Sequence, residues 1–192
     1  YDLEERLLAQ MLFTGSCDQI DSVFDLYMKR KRTRESMVKA YFTQKCIQYF
    51  LEEKEIDSQI FQYLKNAVGA DPGKEKIPTI YLLALTRYYA GQAEITADEK
   101  KQLQIMVNIL LESEMVFPYM KDLGRFVSIP EDIMDKTMIE YRGDKNVQPW
   151  IEMRILPQED HFTREEMKRV YHGIYVKKLT LFKGELLEYQ IY

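Results

Sequence analysis

The sequence predicts an α+β chain: an N-terminal helical-hairpin array, solenoid-like and of about six helices, followed by a small, mostly antiparallel β module with one short helix. Three observations predict it. Apolar residues recur every three or four positions from the start to about Gly124, the period of one helix face. After "VFPYMKDLGRFVSIPEDIMD" the segments become short, rich in β-branched and aromatic residues, and separated by Gly or Pro, which is how strands read. No Gly/Ser-rich linker stands near residue 125, so the two parts, 1–125 and 126–192, are expected to pack closely.

The helices follow in order. Leu3, Leu7, Leu8, Met11 and Leu12 mark the first, and Ile20, Val23, Phe24, Tyr27 and Met28 the second. The long "ESMVKAYFTQKCIQYFLEEKE" supplies the third, with Val38, Tyr41, Phe42, Cys46, Tyr49 and Phe50 on its apolar face. Ile60, Tyr63, Leu64, Ala67 and Val68 give the fourth, "PTIYLLALTRYYA" the fifth, and Leu103, Met106, Val107 and Leu110 the sixth. Asp18 and Asp57 stand where N-caps belong, with Ile56 and Phe61 spaced as a hydrophobic staple. Thr96 and Glu99 have capping-box spacing, and Pro78 closes the loop "GADPGKEKIP" at a first helical turn. Three helical hairpins in a row suggest an array of the tetratricopeptide kind, because one hairpin cannot bury its own apolar face and a stack can. Helix starts near 2, 34 and 78 make the repeat irregular, and a compact helical bundle is the rival architecture.

In the β part, "KTMIEYRG", "QPWIEMRIL", "GIYVKKLTLF" and "ELLEYQIY" read as strands. Lys183-Gly184 reads as a two-residue hairpin turn pairing the last two, with Thr180 facing Leu187, Lys178 facing Tyr189 and Val176 facing Ile191. Between the strands, Thr163 and Glu166 form a capping-box pattern, Phe162 and Met167 stand at staple positions, and Gly173 follows as a stop. These signals predict a helix over 164–172 and a β-β-α-β-β order.

The chain has 192 residues, 46% of them hydrophobic, and a formal charge of −4. That is enough apolar material for a packed core. The charge is even: residues 1–125 carry 17 basic and 19 acidic side chains, and 126–192 carry 10 and 12. Neither half reads as a polyanion binder. The longest apolar run is broken by Arg87 and is too short for a bilayer. No signal-peptide pattern opens the chain, and no compartment is assigned. It begins "YDLEERLLAQM" in helical rhythm and stops at "ELLEYQIY", which reads as a fragment of a longer protein.

Candidate chemistry is sparse. Lys29, Arg30, Lys31, Arg32 and Arg34 crowd into one stretch, "KRKRTR". They are read mainly as last-turn cations of the second helix, with Thr33 capping the third. A phosphate or acidic-partner contact is the functional alternative, and one such cluster without interleaved aromatics is a weak nucleic-acid signal. His161 and His172, with Asp160, Glu165 or Glu166, match no metal-site spacing. Cys17 and Cys46 exclude a disulfide-dense scaffold, and Cys46 reads as a buried thiol. No phosphate loop, nucleophile elbow or zinc-protease motif occurs. Tyr141, Trp150 and Tyr175 are candidate interaction aromatics of the β module, against the simpler reading that they fill a thin core. No catalytic residue, metal ligand or cofactor is assigned.

The succession of helical repeats, "MVFPYMKDLGRFVSIP", "IEYRGDKNVQPWIEMRI" and "YHGIYVKKLTLFKGELLEYQIY" resembles a family of large uncharacterised multi-domain proteins of Gram-positive gut anaerobes. The resemblance covers most of the chain and rests on structural motifs. It implies a segment of a long protein of unknown function and transfers no site. The expected role is a non-enzymatic protein-interaction or scaffold region with a protein partner and no nucleic acid. The alternative is a β module that binds carbohydrate or a cell-surface ligand, carried on a helical spacer.

Overall fold

The computed structural model of the chain describes residues 2–14, 19–52, 56–69, 77–171 and 173–192. Among them are six α-helices: α1 (Leu3–Thr14), α2 (Ile20–Met28), α3 (Glu35–Glu52), α4 (Ser58–Val68), α5 (Thr79–Ala90) and α6 (Ala97–Glu112). Two 3-10 helices follow, Pro118–Arg125 and Glu131–Asp135. Six strands complete the order: β1 (Lys136–Arg142), β2 (Trp150–Leu156), β3 (Thr163–Glu166), β4 (Lys168–Tyr171), β5 (Ile174–Thr180) and β6 (Leu186–Ile191). The chain divides into two compact units, Tyr1–Leu85 and Thr86–Tyr192, and the division falls inside α5.

In the first unit, α1 buries Leu8, α2 buries Ile20, Phe24 and Tyr27, and α4 buries Ile60, Leu64 and Val68. The buried residues of α2 and α4 keep the three-to-four spacing that defines one helix face. Aromatic rings then tie the helices in sequence. Phe24 stacks on Tyr41 at 3.6 Å between centroids, Phe42 stacks on Tyr63 at 3.5 Å, and Tyr63 meets Tyr81 edge-on at 6.2 Å. Such pairs add to the burial of their area. Asp57 caps α4, its side chain accepting the Ile60 N–H at 2.8 Å. Asp18 and Cys17 lie outside the described residues.

The basic stretch departs from expectation. α2 ends at Met28, so Lys29 to Arg32 follow the helix and do not occupy its last turn. The buried Tyr27 hydroxyl accepts the Arg34 N–H at 2.6 Å and pins the connection back on α2. α3 therefore starts at Glu35, with the Arg34 carbonyl accepting from Met37 and Val38, and Thr33 stands outside the cap position.

In the second unit, Thr96 and Glu99 form the capping box of α6, which buries Leu103, Met106, Val107 and Leu110. The helix ends in a Schellman arrangement: Glu114 (φ 56°) donates to the Leu111 carbonyl at 2.9 Å and Met115 to the Leu110 carbonyl at 2.8 Å. Sequence would put glycine at such a left-handed position.

The strands form two three-stranded antiparallel sheets, ordered β1-β5-β4 and β3-β2-β6. Ile151, Met153, Met167 and Tyr175 pack between them, with Ile139, Tyr141, Leu187 and Ile191 beside. Two expectations are corrected here. The helix expected over 164–172 does not form among the described residues: Thr163–Glu166 pairs with β2 and Lys168–Tyr171 with β5. The segment changes sheets at Met167, which is 1% exposed and donates its N–H to the Pro149 carbonyl at 3.0 Å. Burying Met167 between the sheets outweighs a local capping pattern, since propensity is a weak prior against tertiary packing. Phe162, the other supposed staple residue, lies instead under Arg154, 4.6 Å from its ring centroid.

Nor do β5 and β6 form a hairpin. A turn does occur at Phe182–Glu185, with the Glu185 N–H donating to the Phe182 carbonyl at 3.1 Å and Gly184 at φ 95°. It carries the chain from one sheet to the other, so Thr180 faces Lys136 and Leu187 faces Ile155.

Candidate functional site: the outer face of the β3-β2-β6 sheet

Side chains alternate along a strand, and residues directly opposite in a pair share a face. Ile151 and Met153 of β2 point into the core, so Trp150, Glu152 and Arg154 point outward. The register sets Arg164 and Gln190 beside Glu152, Glu188 beside Arg154 and Glu166 beside Trp150. Trp150 and Tyr192 exchange both backbone hydrogen bonds, at 3.1 and 2.9 Å, which places their rings on this same face.

Arg164 fills the space these rings define. Its guanidinium carbon lies 5.1 Å from the Trp150 ring centroid and 5.5 Å from that of Tyr192, a double cation–π arrangement. The Tyr192 hydroxyl donates to Glu152 Oε2 at 2.8 Å, and this bond raises the phenol above its ordinary pKa. Arg154 pairs with Glu188 at 2.6 Å. Arg164 is exposed, and among the described residues no carboxylate lies within 4 Å of its guanidinium nitrogens. The face thus presents an oriented cation between two rings, with Phe162 and Tyr192 each about half exposed at 48% and 54%.

The residues singled out from sequence are not gathered at this place. Trp150 is there. Tyr141 and Tyr175 are opposite one another on β1 and β5, 6.3 Å apart, on the inner side of the other sheet. Tyr175 is 1% exposed and donates its hydroxyl hydrogen bond to the Asp144 carbonyl at 3.1 Å. As an interaction residue it is corrected to a core residue, because the sandwich needs a large side chain there.

In the first unit, the basic stretch is partly consumed within the fold. Arg30 pairs with Asp2 and lies 3.6 Å from Glu4, and its guanidinium stands 5.5 Å over the Tyr27 ring. Arg34 reaches Glu5 at 3.3 Å. These contacts join the acidic first turn of α1 to the α2–α3 connection. Lys29, Lys31 and Arg32 are exposed. Cys46 is fully buried and burial pushes its thiol pKa up, away from reactivity. His161 is exposed, and His172 lies outside the described residues. Among the described residues no three or more His, Cys, Asp or Glu side chains converge as a metal site.

Arg164 and Tyr192 were not singled out as a pair from sequence. The signal was an arginine on an edge strand two residues after an aromatic, but it needs the β3-β2-β6 order to be read.

Helices followed by two antiparallel sheets define an α+β protein, and among the described residues no helix is long and apolar enough to cross a membrane. The model of the C-terminal part of a family of unknown function, DUF5717, matches residues 1–192, and the chain belongs to that family. No curated protein and no solved structure matches it.

Proposed function

We propose that the chain is a non-enzymatic interaction region of a longer multi-domain protein, and that the outer face of the β3-β2-β6 sheet binds a protein segment bearing carboxylates. The observation that carries this reading is Arg164, held between Trp150 and Tyr192 with no described carboxylate within 4 Å of its guanidinium nitrogens. Trp, Tyr and Arg are the residues that dominate binding energy at protein interfaces. A guanidinium already oriented by two rings loses little freedom on binding and can grip a carboxylate with two parallel hydrogen bonds. The helical hairpins would extend the region as an array, in keeping with the resemblance to long multi-domain proteins. The even charge of both halves of the chain argues against a nucleic-acid partner.

Carbohydrate binding is the second reading, favoured by the exposed Tyr192 beside Trp150 and Glu152. A sugar stacks flat on an aromatic ring, whereas here Arg164 covers one face of each ring, which favours the carboxylate partner.

Random-peptide display on the intact chain tests the proposal, with a glycan array in parallel. Acidic peptides are expected, losing about tenfold or more in affinity with Arg164→Ala, equivalent to about 1.4 kcal/mol. Arg164 is exposed on an edge strand, so the variant should melt like the parent. Peptides indifferent to Arg164, or glycans bound through Trp150 with no peptide selected, would overturn it.

A further inference from the structure

We propose that the second unit holds a separate small-molecule site, a pocket that takes an amphipathic anion with an apolar body and one carboxylate or phosphate head. The pocket measures about 390 Å³ and lies along β1 and β5, on the side of their sheet that faces away from β2. Its size falls within the range of small-molecule sites, and like them it combines apolar lining residues with a few polar ones. It shares no residue with the Trp150–Arg164–Tyr192 surface and stands or falls independently of it.

Leu111, Val116, Ile133 and Met138 supply the apolar lining. The polar side comes from strand register. Lys136 faces Thr180, and Met138 faces Lys178, so the two lysines are diagonal neighbours on one face, about 7–8 Å apart at their bases. Thr180 stands directly across from Lys136 as a hydroxyl donor. Two ammonium groups and a hydroxyl at the edge of an apolar hollow suit a head with several acceptor oxygens and a body that leaves water.

Each lysine now faces a carboxylate at 3.4 Å, Lys178 with Glu114 and Lys136 with Asp132. Those carboxylates are 83% and 70% exposed. Ion pairs that open to water hold weakly, so an incoming anion can displace them. Glu114 reaches the rim because the Schellman turn fixes its backbone there, and it therefore competes with the ligand.

The test titrates the intact chain with octanoate, phenyl phosphate, inorganic phosphate and octan-1-ol, following the Met138 and Ile133 methyl resonances. Octanoate and phenyl phosphate should shift those methyls to saturation, with octan-1-ol and inorganic phosphate at least tenfold weaker. Lys178→Gln should weaken octanoate tenfold without lowering the melting temperature. Lys136→Gln serves as the second variant should the first fold poorly. Glu114→Gln should tighten octanoate severalfold, an effect no merely structural role of Glu114 produces. Octan-1-ol binding as tightly as octanoate, inorganic phosphate as tightly as phenyl phosphate, unsaturated or absent methyl shifts, or affinity unchanged in both lysine variants would each overturn the site.

Discussion

Gly173 offers a way to measure how tightly the sandwich is closed. Its φ is 80°, its carbonyl accepts the Gly143 N–H at 3.0 Å, and a Cβ added to it would stand 2.7 Å from the Gly143 carbonyl oxygen. Gly173→Ala therefore carries two costs. A left-handed backbone costs a residue with a Cβ about 1–2 kcal/mol. The clash is with main chain, which must withdraw by several tenths of an ångström and stretch a hydrogen bond with a net value of about 1 kcal/mol. Reduced freedom of the unfolded chain returns about 0.4–1 kcal/mol, leaving a net loss of about 1–2.5 kcal/mol. Gly184→Ala is the internal control: φ is 95° but nothing lies within 4 Å of the added atom, so only the backbone cost applies. Urea unfolding followed by tryptophan fluorescence reads the second unit directly, because Trp150 is the single tryptophan. A Gly184 variant as unstable as the Gly173 variant would refute the steric reasoning.

Three further outcomes are expected. Burial chiefly, with the hydrogen bond to Asp21 second, raises the Tyr41 pKa, and burial also raises Tyr63 and Tyr81. The stability these neutral phenols contribute is complete below the unfolded value near 10 and is lost as pH rises above it. Absorbance titration should show them ionising with unfolding, and Tyr41→Phe should weaken that alkaline sensitivity. Glu114→Gly should raise the unfolding midpoint by up to about 1 kcal/mol equivalent, since glycine removes the left-handed penalty at a small entropic cost; a lowered midpoint would contradict the Schellman assignment. In a Cys17→Ser background, Cys46 should react with a thiol reagent at pH 8 only as fast as the first unit opens, and rapid native labelling would contradict its burial.

Much of the helical part was legible because amphipathic period and caps are local. Leu3, Glu35 and Thr79 open helices within a residue of the expected starts, and the Asp57 and Thr96–Glu99 caps form as their spacing implied. The segments "KTMIEYRG", "QPWIEMRIL", "GIYVKKLTLF" and "ELLEYQIY" do contain β1, β2, β5 and β6. What stayed hidden was partnership. A hairpin turn at Gly184 fixes where the chain reverses, but which sheet each side joins depends on the filling between sheets. The "TREEM" signal failed for the same reason, as Met167 is drawn into the core from a stretch that locally favours helix. Since Arg164 and Trp150 meet only through that pairing, the candidate surface was invisible until the strand order was known.

The order in which strands enter the two sheets has a consequence for how the molecule is made. Consecutive strands are dealt between the layers, β1 to one, β2 and β3 to the other, β4 and β5 back to the first and β6 to the second. The chain thus crosses between layers three times, after β1, β3 and β5, and neither layer is a contiguous stretch that could form alone. On the ribosome, β2 waits with one side unpaired until residue 191 has been synthesised. Closure is then a single late event, governed by distant contacts of the kind that slow folding, and a nascent chain interrupted before β6 would expose the flank of β2 to any neighbouring strand.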